Sequence, residues 1–454
     1  MGPYTRFVSS ILFPLQEKLK GHDTVAVRRE LEESQWWTPA QIEDHQFRRL
    51  QELLSFAASS VPYYRELFRN TGFDPARFKA LDQIKELPWL TKSLIRANVE
   101  ALKHAHPIGL ERSSTGGSSG QPLAFFIGRE RVSHDVAAKW RATRWWDVDI
   151  GDPEVVVWGS PIEIGAQDNV RILRDRLMRS HLLNAFEMSE SNLDVYVQRI
   201  RDIKPKMVFG YPYSITLLAS HAQKRGVRLD DLGVKVVFVT SEMLYDHQRE
   251  KISEVFGCPV ANGYGGRDAG FIAHECAAGG MHITAEDIIV ELIDSDGQPV
   301  PDGEPGEVVV THLCSRDFPF IRYRTGDIAI KDTQPCACGR QLPLLREIQG
   351  RTNDFLVALD GKLLPCGAFT YLMREIDGIG SFKVVQESLS LTRVQIVRQG
   401  GLDEALRAKL IKGFRHRLGE AVQVEVALVE SIAAQGNGKY RYVVSNVASQ
   451  SSAT

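Results

Sequence analysis

SSTGGSSGQPL, from Ser113 to Leu123, packs hydroxyls and glycines between two apolar segments. A loop of this composition can wrap backbone N–H groups and side-chain hydroxyls around phosphate oxygens, because glycine lets the chain come close. The same composition also describes a plain flexible connection. The order Ser/Thr-Gly-Gly-x-x-Gly-x-Pro does not fit GxxxxGK[ST], and no GxGxxG follows a strand, so neither the P-loop nor the Rossmann mechanism is supported. The architecture that would present such a loop has to be read from its surroundings.

Before the loop, residues 1–100 carry helical patterns such as AQIEDHQFRRLQELLSFAASS (40–60), with apolar residues three and four apart. After it, short apolar runs (EVVVW 154–158, MVFG 207–210, VKVVFVTS 234–241) alternate with helical stretches (NLDVYVQRIRDI 192–203, YSITLLASHAQKRG 213–226). That alternation predicts a mostly parallel sheet flanked by helices, with ligands beyond the carboxyl ends of its strands. From Val290 the texture turns to short alternating strands, with turn signals at Asp296-Gly297 and Asp302-Gly303. The fold class is therefore α/β, with three expected regions. Residues 1–100 form the helical N-terminal part of a large domain, 101–350 its core with a β-rich subdomain, and 351–454 a small, mobile α+β domain. DEALRAKLIKGFRHRLGE (403–420) is its helix and VQVEVALVE (422–430) one of its strands.

The 454 residues are 43% hydrophobic and 25% charged, ordinary globular usage, and the net charge of −2 offers no basic field for a nucleic-acid backbone. No window approaches 18 consecutive apolar residues, the length a spanning helix would need, and the apolar stretch in MGPYTRFVSSILFPLQEKLKG is too short and interrupted for a signal segment. A cytoplasmic location without a membrane span is expected.

Six cysteines in such a chain argue against a disulfide framework. Cys336-Ala337-Cys338-Gly339 is a tight turn that offers two thiolates, and Cys276 and His282, across a Gly-Gly turn, offer two more soft ligands for a tetrahedral zinc site. The alternative is that buried cysteines fill small apolar holes. His274 is the competing imidazole, with His282 preferred. Cys258, Cys314 and Cys366 are expected to carry no chemistry.

Further motifs follow in order: NGYGGRD (262–268), RYRTGD (322–327), GRTND (350–354) and GKYRY (438–442). Together with the Ser/Gly loop they resemble the adenylate-forming superfamily of acyl-CoA synthetases. HECAAGGMHITAEDIIVELID (274–294) joined to CACGRQLPLLREIQGR (336–351) resembles the phenylacetate-CoA ligase group, especially its relatives associated with capsular polysaccharide genes. Some of these relatives carry metal at the cysteine cluster. The resemblance spans the chain from about residue 85 onward.

What the resemblance implies can be given a physical task at each residue. Ser113, Ser114, Thr115, Gly116 and Gly117 would cradle the β- and γ-phosphates of ATP, with Gly120 permitting the turn. Many superfamily members place a lysine before the proline where this chain has Gln121. Tyr264 would stack on adenine, Asn262 or Gly263 would meet its exocyclic amine, and Ser241 and Glu242 would line the same segment. Asp268, where the family has glutamate, would hold magnesium against the α-phosphate. Asp327 would accept both ribose hydroxyls. Tyr323 and Arg324 are open to a purely structural reading. Arg351 would reach the nucleotide from the domain junction and Asn353 would serve as hinge. Lys439 would be the catalytic lysine between the carboxylate and the α-phosphate, offsetting their repulsion as charge builds on phosphorus.

The expected function is ATP- and magnesium-dependent activation of a small carboxylic acid through an acyl-adenylate with release of pyrophosphate, then acyl transfer, with coenzyme A the favoured acceptor. An amide or ester ligase using an amine, sugar or carrier-protein thiol is the alternative, and a non-catalytic nucleotide-binding protein a third. A structural zinc accompanies this reading, and a homodimer is left open. WGSPIEIG (158–165) and FGYPYS (209–214) suit either a pocket wall or core strands.

Overall fold

The computed structural model describes residues 2–107, 109–115, 123–159, 169–185, 187–351, 355–361, 363–365, 369, 372–373, 376, 379–398, 401–432 and 442–447. The chain forms two compact units, one of Met1–Thr325 with Ile330–Arg346, the other of Gly326–Ala329 with Glu347–Thr454.

The first unit opens with helices. Pro39–Ser60 begins where Thr38 and Gln41 cap each other reciprocally, with proline at the first helical position, and it buries Ile42, Leu50, Leu53, Leu54 and Ala57 along one stripe. The strands that follow are β1 (Glu111–Ser114), β2 (Ala124–Ile127), β3 (Glu154–Trp158), β4 (Ser180–Asn184), β5 (Met207–Gly210), β6 (Val236–Thr240), β7 (Val260–Gly266), β8 (Gly270–Glu275), β9 (Met281–Ile283), β10 (Ile288–Ile293), β11 (Pro305–His312), β12 (Tyr323–Asp332) and β13 (Leu344–Arg351). β1 and β2 make a separate antiparallel hairpin. The large sheet runs β10-β11-β12-β13-β9-β8-β7-β6-β5-β3-β4. Within it β4, β3, β5, β6 and β7 are parallel.

Every residue of β5 and β6 is buried, as continuous apolar runs in a sheet covered on both faces require. The two-residue period of β6 sends Val237 and Val239 into a core with Ile215, Leu218, Ile252 and Phe256 from the crossover helices. Val236 and Phe238 join Ala142, Phe209 and Ala261 in a second core, with Trp145 and Trp146 packed against it. In FGYPYS and WGSPIEIG the described aromatics pack on one another: Tyr211 stacks on Trp158 at 4.2 Å and donates to the Gly159 carbonyl. Residues 160–165 lie outside the described residues.

In the second unit β14 (Phe355–Val357) pairs with β15 (Leu363–Pro365), and β16 (Ile379–Ser388), β17 (Leu391–Arg398), β18 (Gln423–Leu428) and β19 (Val443–Ser445) form a sheet ordered β18-β17-β16-β19. Asp403 caps the helix Glu404–Leu418, whose Leu410, Phe414 and Leu418 pack with Phe382, Val384, Val394 and Ile396. The fully buried Gln386 donates to the Val357 carbonyl and accepts from the Val357 amide and from the Ser445 hydroxyl. Its satisfied amide ties β14 and β19 to the sheet.

Polar side chains join the N-terminal helices to the sheet. Buried Arg141 donates to Glu286 at 2.5 Å and to the Leu31 carbonyl, and Ser34 donates to the same carboxylate. Cys314, expected to be isolated, lies instead in a polar network. Arg49 donates to its Sγ at 3.1 Å and to Glu130 at 2.9 Å, while His134 Nδ1 is 2.7 Å from Asp287, whose Oδ1 accepts from Cys314 at 3.5 Å. The partners come from distant parts of the chain, so no local pattern around Cys314 announces them.

Burial alone would raise Asp287, but the His134 charge and hydrogen bond, with His312 and Arg141 nearby, bring it down to about 2. Burial opposes the charge of His134, which Asp287 and then Cys314 hold well above its ordinary value. The carboxylate's contribution to stability is therefore complete above an ordinary pKa of about 4 and fades as pH falls toward its folded value. The imidazolium's is complete below about 6.5 and is lost as pH rises through its raised pKa. Asp287→Asn removes one partner of this buried pair and should cost about 3–5 kcal/mol near pH 6, read by urea unfolding, with the gap to wild type narrowing below pH of about 3.

Candidate functional site

β6 is followed by Ser241, whose φ of +70° is a left-handed conformation that costs a side-chain-bearing residue about 1–2 kcal/mol. It turns the chain at the carboxyl edge of the parallel sheet. The next residue, Glu242, accepts from the Tyr213 amide at 3.3 Å in the first turn of the helix Pro212–Lys224, a position where a carboxylate meets the positive end of the helix dipole. Val239 and Thr240 pair with Asn262 and Gly263, which sets the NGYGGRD segment alongside this edge. The Asn262 amide donates to Glu275 at 2.8 Å, and Arg249 holds the same oxygen at 2.9 Å. Tyr264 is buried. A register shift follows it, and a Cβ on Gly265 would lie 2.3 Å from the Gly270 carbonyl, so only glycine fits where β8 folds back.

The end of this segment gathers the other motifs. Buried Arg131 donates to the Arg267 carbonyl at 2.7 Å, and Arg267 donates to the Ser114 carbonyl at 3.3 Å. Asp268 Oδ2 accepts from the Tyr323 hydroxyl at 2.5 Å. Three stretches far apart in sequence, at Ser114, at Arg267-Asp268 and at Tyr323, are thus hydrogen-bonded in series. Ser113 and Ser114 lie in β1, opposite Phe125 and Ala124, and the Thr115 hydroxyl accepts from the Leu123 amide at 3.0 Å, closing the neck of the loop. Gly116 and Gly117, with Gly120 and Gln121, lie outside the described residues.

Asp327 lies on β12, four residues beyond Tyr323, and follows Gly326, which has a φ of +80°. Arg324 forks onto Glu307, the structural pairing open to it from sequence. Arg351 ends β13, and its side chain, like Asn353 and Lys439, lies outside the described residues. Arg131 and Arg267 were not singled out from sequence. The Arg-Asp pair closing NGYGGRD was the available signal for Arg267, whereas Arg131 is one arginine among several on an amphipathic helix.

A second cluster brings together Cys276, His282, Cys336 and Cys338, with all four ligand atoms within 4.8 Å of one another. Antiparallel pairing of β13 with β9 sets Leu344 opposite His282 and so carries the preceding Cys-x-Cys turn to the Cys276 hairpin. A Cβ on Gly280 would lie 2.6 Å from Cys336 Sγ, so glycine makes the room. Bonds of about 2.3 Å to sulfur and about 2.0 Å to nitrogen in a tetrahedron set ligand atoms about 3.5–3.8 Å apart. Here Cys276 and Cys336 sulfurs are 3.5 Å apart and His282 Nε2 is 3.2 Å from Cys338 Sγ, so the donor set fits a zinc ion. Burial, with Arg340 and Arg141 nearby, brings His282 down to about 4, leaving the neutral imidazole that a metal needs. His274 stands opposite His282 in the β8–β9 pairing, but its ring packs against Phe238 and Phe271 and is not one of the four ligands. The other three-ligand group among the described residues, Glu130, His134 and Cys314, already holds the Arg49 cation between two of its members.

Residues 356–446 match the profile of the CapK C-terminal domain. Over 409 residues the chain is 24% identical to phenylacetate-coenzyme A ligase of Thermus thermophilus, covering 83% of each. It is 22% identical over 406 residues to the protein CapK of Staphylococcus aureus, covering 88% of this chain and 89% of the other. Among solved structures, 2-hydroxyisobutyryl-CoA ligase in its postadenylation state with an acyl-AMP superposes with a TM-score of 0.73 at 22% identity, over 90% of this chain and 91% of that one. The chain is similar in sequence to phenylacetate-coenzyme A ligases and to CapK, and shares the fold of 2-hydroxyisobutyryl-CoA ligase. No helix among the described residues is long and apolar enough to cross a membrane.

Tyr323→Phe keeps the ring packing on Phe320 and deletes the hydroxyl that donates to Asp268. A loss of about 1–3 kcal/mol in urea unfolding is expected, because a charged acceptor loses its partner.

Proposed function

We propose that this protein is an AMP-forming acid ligase: it joins a small carboxylic acid to ATP as an acyl-adenylate, releases pyrophosphate, and passes the acyl group to coenzyme A. The observation that carries the reading is the series Ser114–Arg267 and Asp268–Tyr323, which gathers the Ser/Gly hairpin and two further motif strands. It is supported by the relatedness to phenylacetate-coenzyme A ligases and by the likeness to a ligase solved with its acyl-AMP and, in an open conformation, with coenzyme A.

The residues divide the work as follows. Backbone N–H groups and hydroxyls from Ser113 to Gly117 bind the outer phosphates. Tyr264 and the Asn262–Gly263 backbone hold adenine, with Ser241 and Glu242 lining the same segment, Asp327 takes the ribose hydroxyls, and Arg351 reaches the nucleotide from the strand end. Asp268 would hold a magnesium ion, which when bound supplies positive charge at the α-phosphate; one carboxylate with phosphate oxygens is a donor set that ion accepts. Tyr323 keeps that carboxylate in place. Lys439 is assigned the role of the cation that offsets the repulsion between the acid and the α-phosphate in the transition state. Asn353 gives the backbone the freedom to swing Lys439 away once the adenylate exists.

A second reading changes the last step alone, with an amine, sugar or carrier-protein thiol as acceptor in place of coenzyme A. Acid-dependent pyrophosphate release across a panel of small acids tests the first step. Competition among coenzyme A, amines and carrier thiols for the preformed adenylate tests the second. No acid-dependent release with any acid would remove the ligase reading.

Asp327→Ala should weaken ATP binding at least about tenfold and slow both half-reactions, since ribose contacts persist through the cycle. Lys439→Ala should spare ATP affinity and cut adenylate formation by two to four orders of magnitude, about 3–5 kcal/mol. Pyrophosphate exchange at the normal rate in the lysine variant would overturn its assigned role.

We also assign Cys276, His282, Cys336 and Cys338 to a structural zinc ion that staples the Cys-x-Cys turn to the β8–β9 hairpin. Elemental analysis should give about one zinc per chain, and Cys336→Ser should lower metal content and thermal midpoint together. Full thermal stability in metal-stripped protein would rule the staple out.

A further inference from the structure

The first helical run, Pro3–Phe7, Val8–Leu12 and Phe13–Lys20, continues without a break apart from a π-helical turn in its middle. One face is anchored. Val8 packs where Gly151 leaves no room for a Cβ, Thr5 donates to Asp152 at 2.8 Å, and Phe13 meets the Trp140 edge at 5.1 Å. The opposite face carries Tyr4, Phe7, Ile11, Leu15 and Leu19, which are 41–81% exposed. Spacings of three and four residues keep them in one stripe along the helix. Tyr4 also donates to the Leu177 carbonyl, beside Arg179, at the end of the helix Asn169–Met178, and that helix exposes Leu173 and Leu177. A row of large apolar side chains held in water on an anchored helix marks an interaction surface.

The charges around the stripe select its occupant. Arg6, Lys18 and Lys20 are exposed on the same helix, and Arg176 on its neighbour. The one acidic residue between Pro3 and Lys20 is Glu17, which is buried and accepts from Thr24 at 2.6 Å and from Lys20 at 3.3 Å. The partly exposed Asp175 of the neighbouring helix is paired with Arg174. An apolar stripe with tyrosine and phenylalanine near one end, on a helical run from Pro3 to Lys20 whose exposed charges are all cationic, complements an anionic lipid surface. Two copies of the stripe face to face would instead oppose like charges. We propose that this helix docks the protein on the surface of an anionic membrane, lying in the headgroup plane without crossing it, independently of the reaction proposed above.

Co-sedimentation of the full chain with vesicles of phosphatidylcholine containing about 30% phosphatidylglycerol tests this against vesicles of phosphatidylcholine alone. The protein should pellet with the anionic vesicles and bind several-fold less to neutral ones or in salt of about 0.5 M. Ile11→Glu with Leu15→Glu should lower binding at least about tenfold. Arg6→Glu with Lys18→Glu should lower it several-fold, and both pairs should leave the thermal midpoint unchanged, because the altered side chains face water. Leu19→Glu, at the most exposed position of the stripe, gives a milder check that folding is not the cause. Absence of binding to anionic vesicles, or equal binding by wild type and all variants, overturns the proposal. So does a wild-type dimer that Ile11→Glu with Leu15→Glu turns into monomers, since a second copy would then own the face.

Discussion

Burial of both faces of the five-residue strand Val236–Thr240 is the constraint on which the large unit depends. Helices must cover each side, and the alternation of Val237 and Val239 against Val236 and Phe238 feeds two separate cores from one strand. Each fully buried aliphatic side chain contributes about 1.5–3 kcal/mol, so a one-residue slip in register would forfeit several such contributions at once. Register fixed in this way reaches the carboxyl edge unchanged. There it sets Thr240 beside Gly263, turns the chain at Ser241, and delivers Asn262 and Tyr264 along one neighbouring strand, with Asp268 in the turn that follows it.

That edge is then held by polar contacts rather than by further burial. Arg131 and Arg267 join the end of β7 to the Ser/Gly hairpin, and Tyr323 joins it to β12. Few apolar side chains are available at this edge, so hydrogen bonds from the buried Arg131 and the half-buried Arg267 to backbone carbonyls take that task. The same device recurs at Arg141 with Glu286 and at His134 with Asp287, where the N-terminal helices meet the sheet. Breaking one partner of such a pair leaves a buried charge alone, which makes these joints both firm and sensitive to pH.

Much of this was readable along the chain. EVVVW and MVFG are strands with the ends that the apolar runs gave them, the helical spacing at 192–203 falls within Glu190–Ile203, and that at 213–226 overlaps Pro212–Lys224 and runs two residues past its end. Asp296-Gly297 and Asp302-Gly303 turn with positive φ at both glycines. These features rest on local physics, on periodicity and on the freedom of glycine. The partners of Cys314, namely Arg49, His134 and Asp287, come from other segments of the chain and leave no local mark around it.

The sequence by itself determined the alternation of apolar strands and helices, the order of the motifs, and the ligand types available for phosphate, ribose and metal. Each follows from residue chemistry and short-range spacing. Only the tertiary structure decided which of those residues meet. The Cys-x-Cys turn reaches His282 through the pairing of β13 with β9, Asp268 is held by a tyrosine from another strand, and Glu242 serves a helix terminus. It also decided that Phe7, Ile11, Leu15 and Leu19 face water, because Val8 and Phe13 take the inner side of the same helix. Contacts between residues tens or hundreds of positions apart are selected by the packing of whole elements, and no window along the chain contains that information.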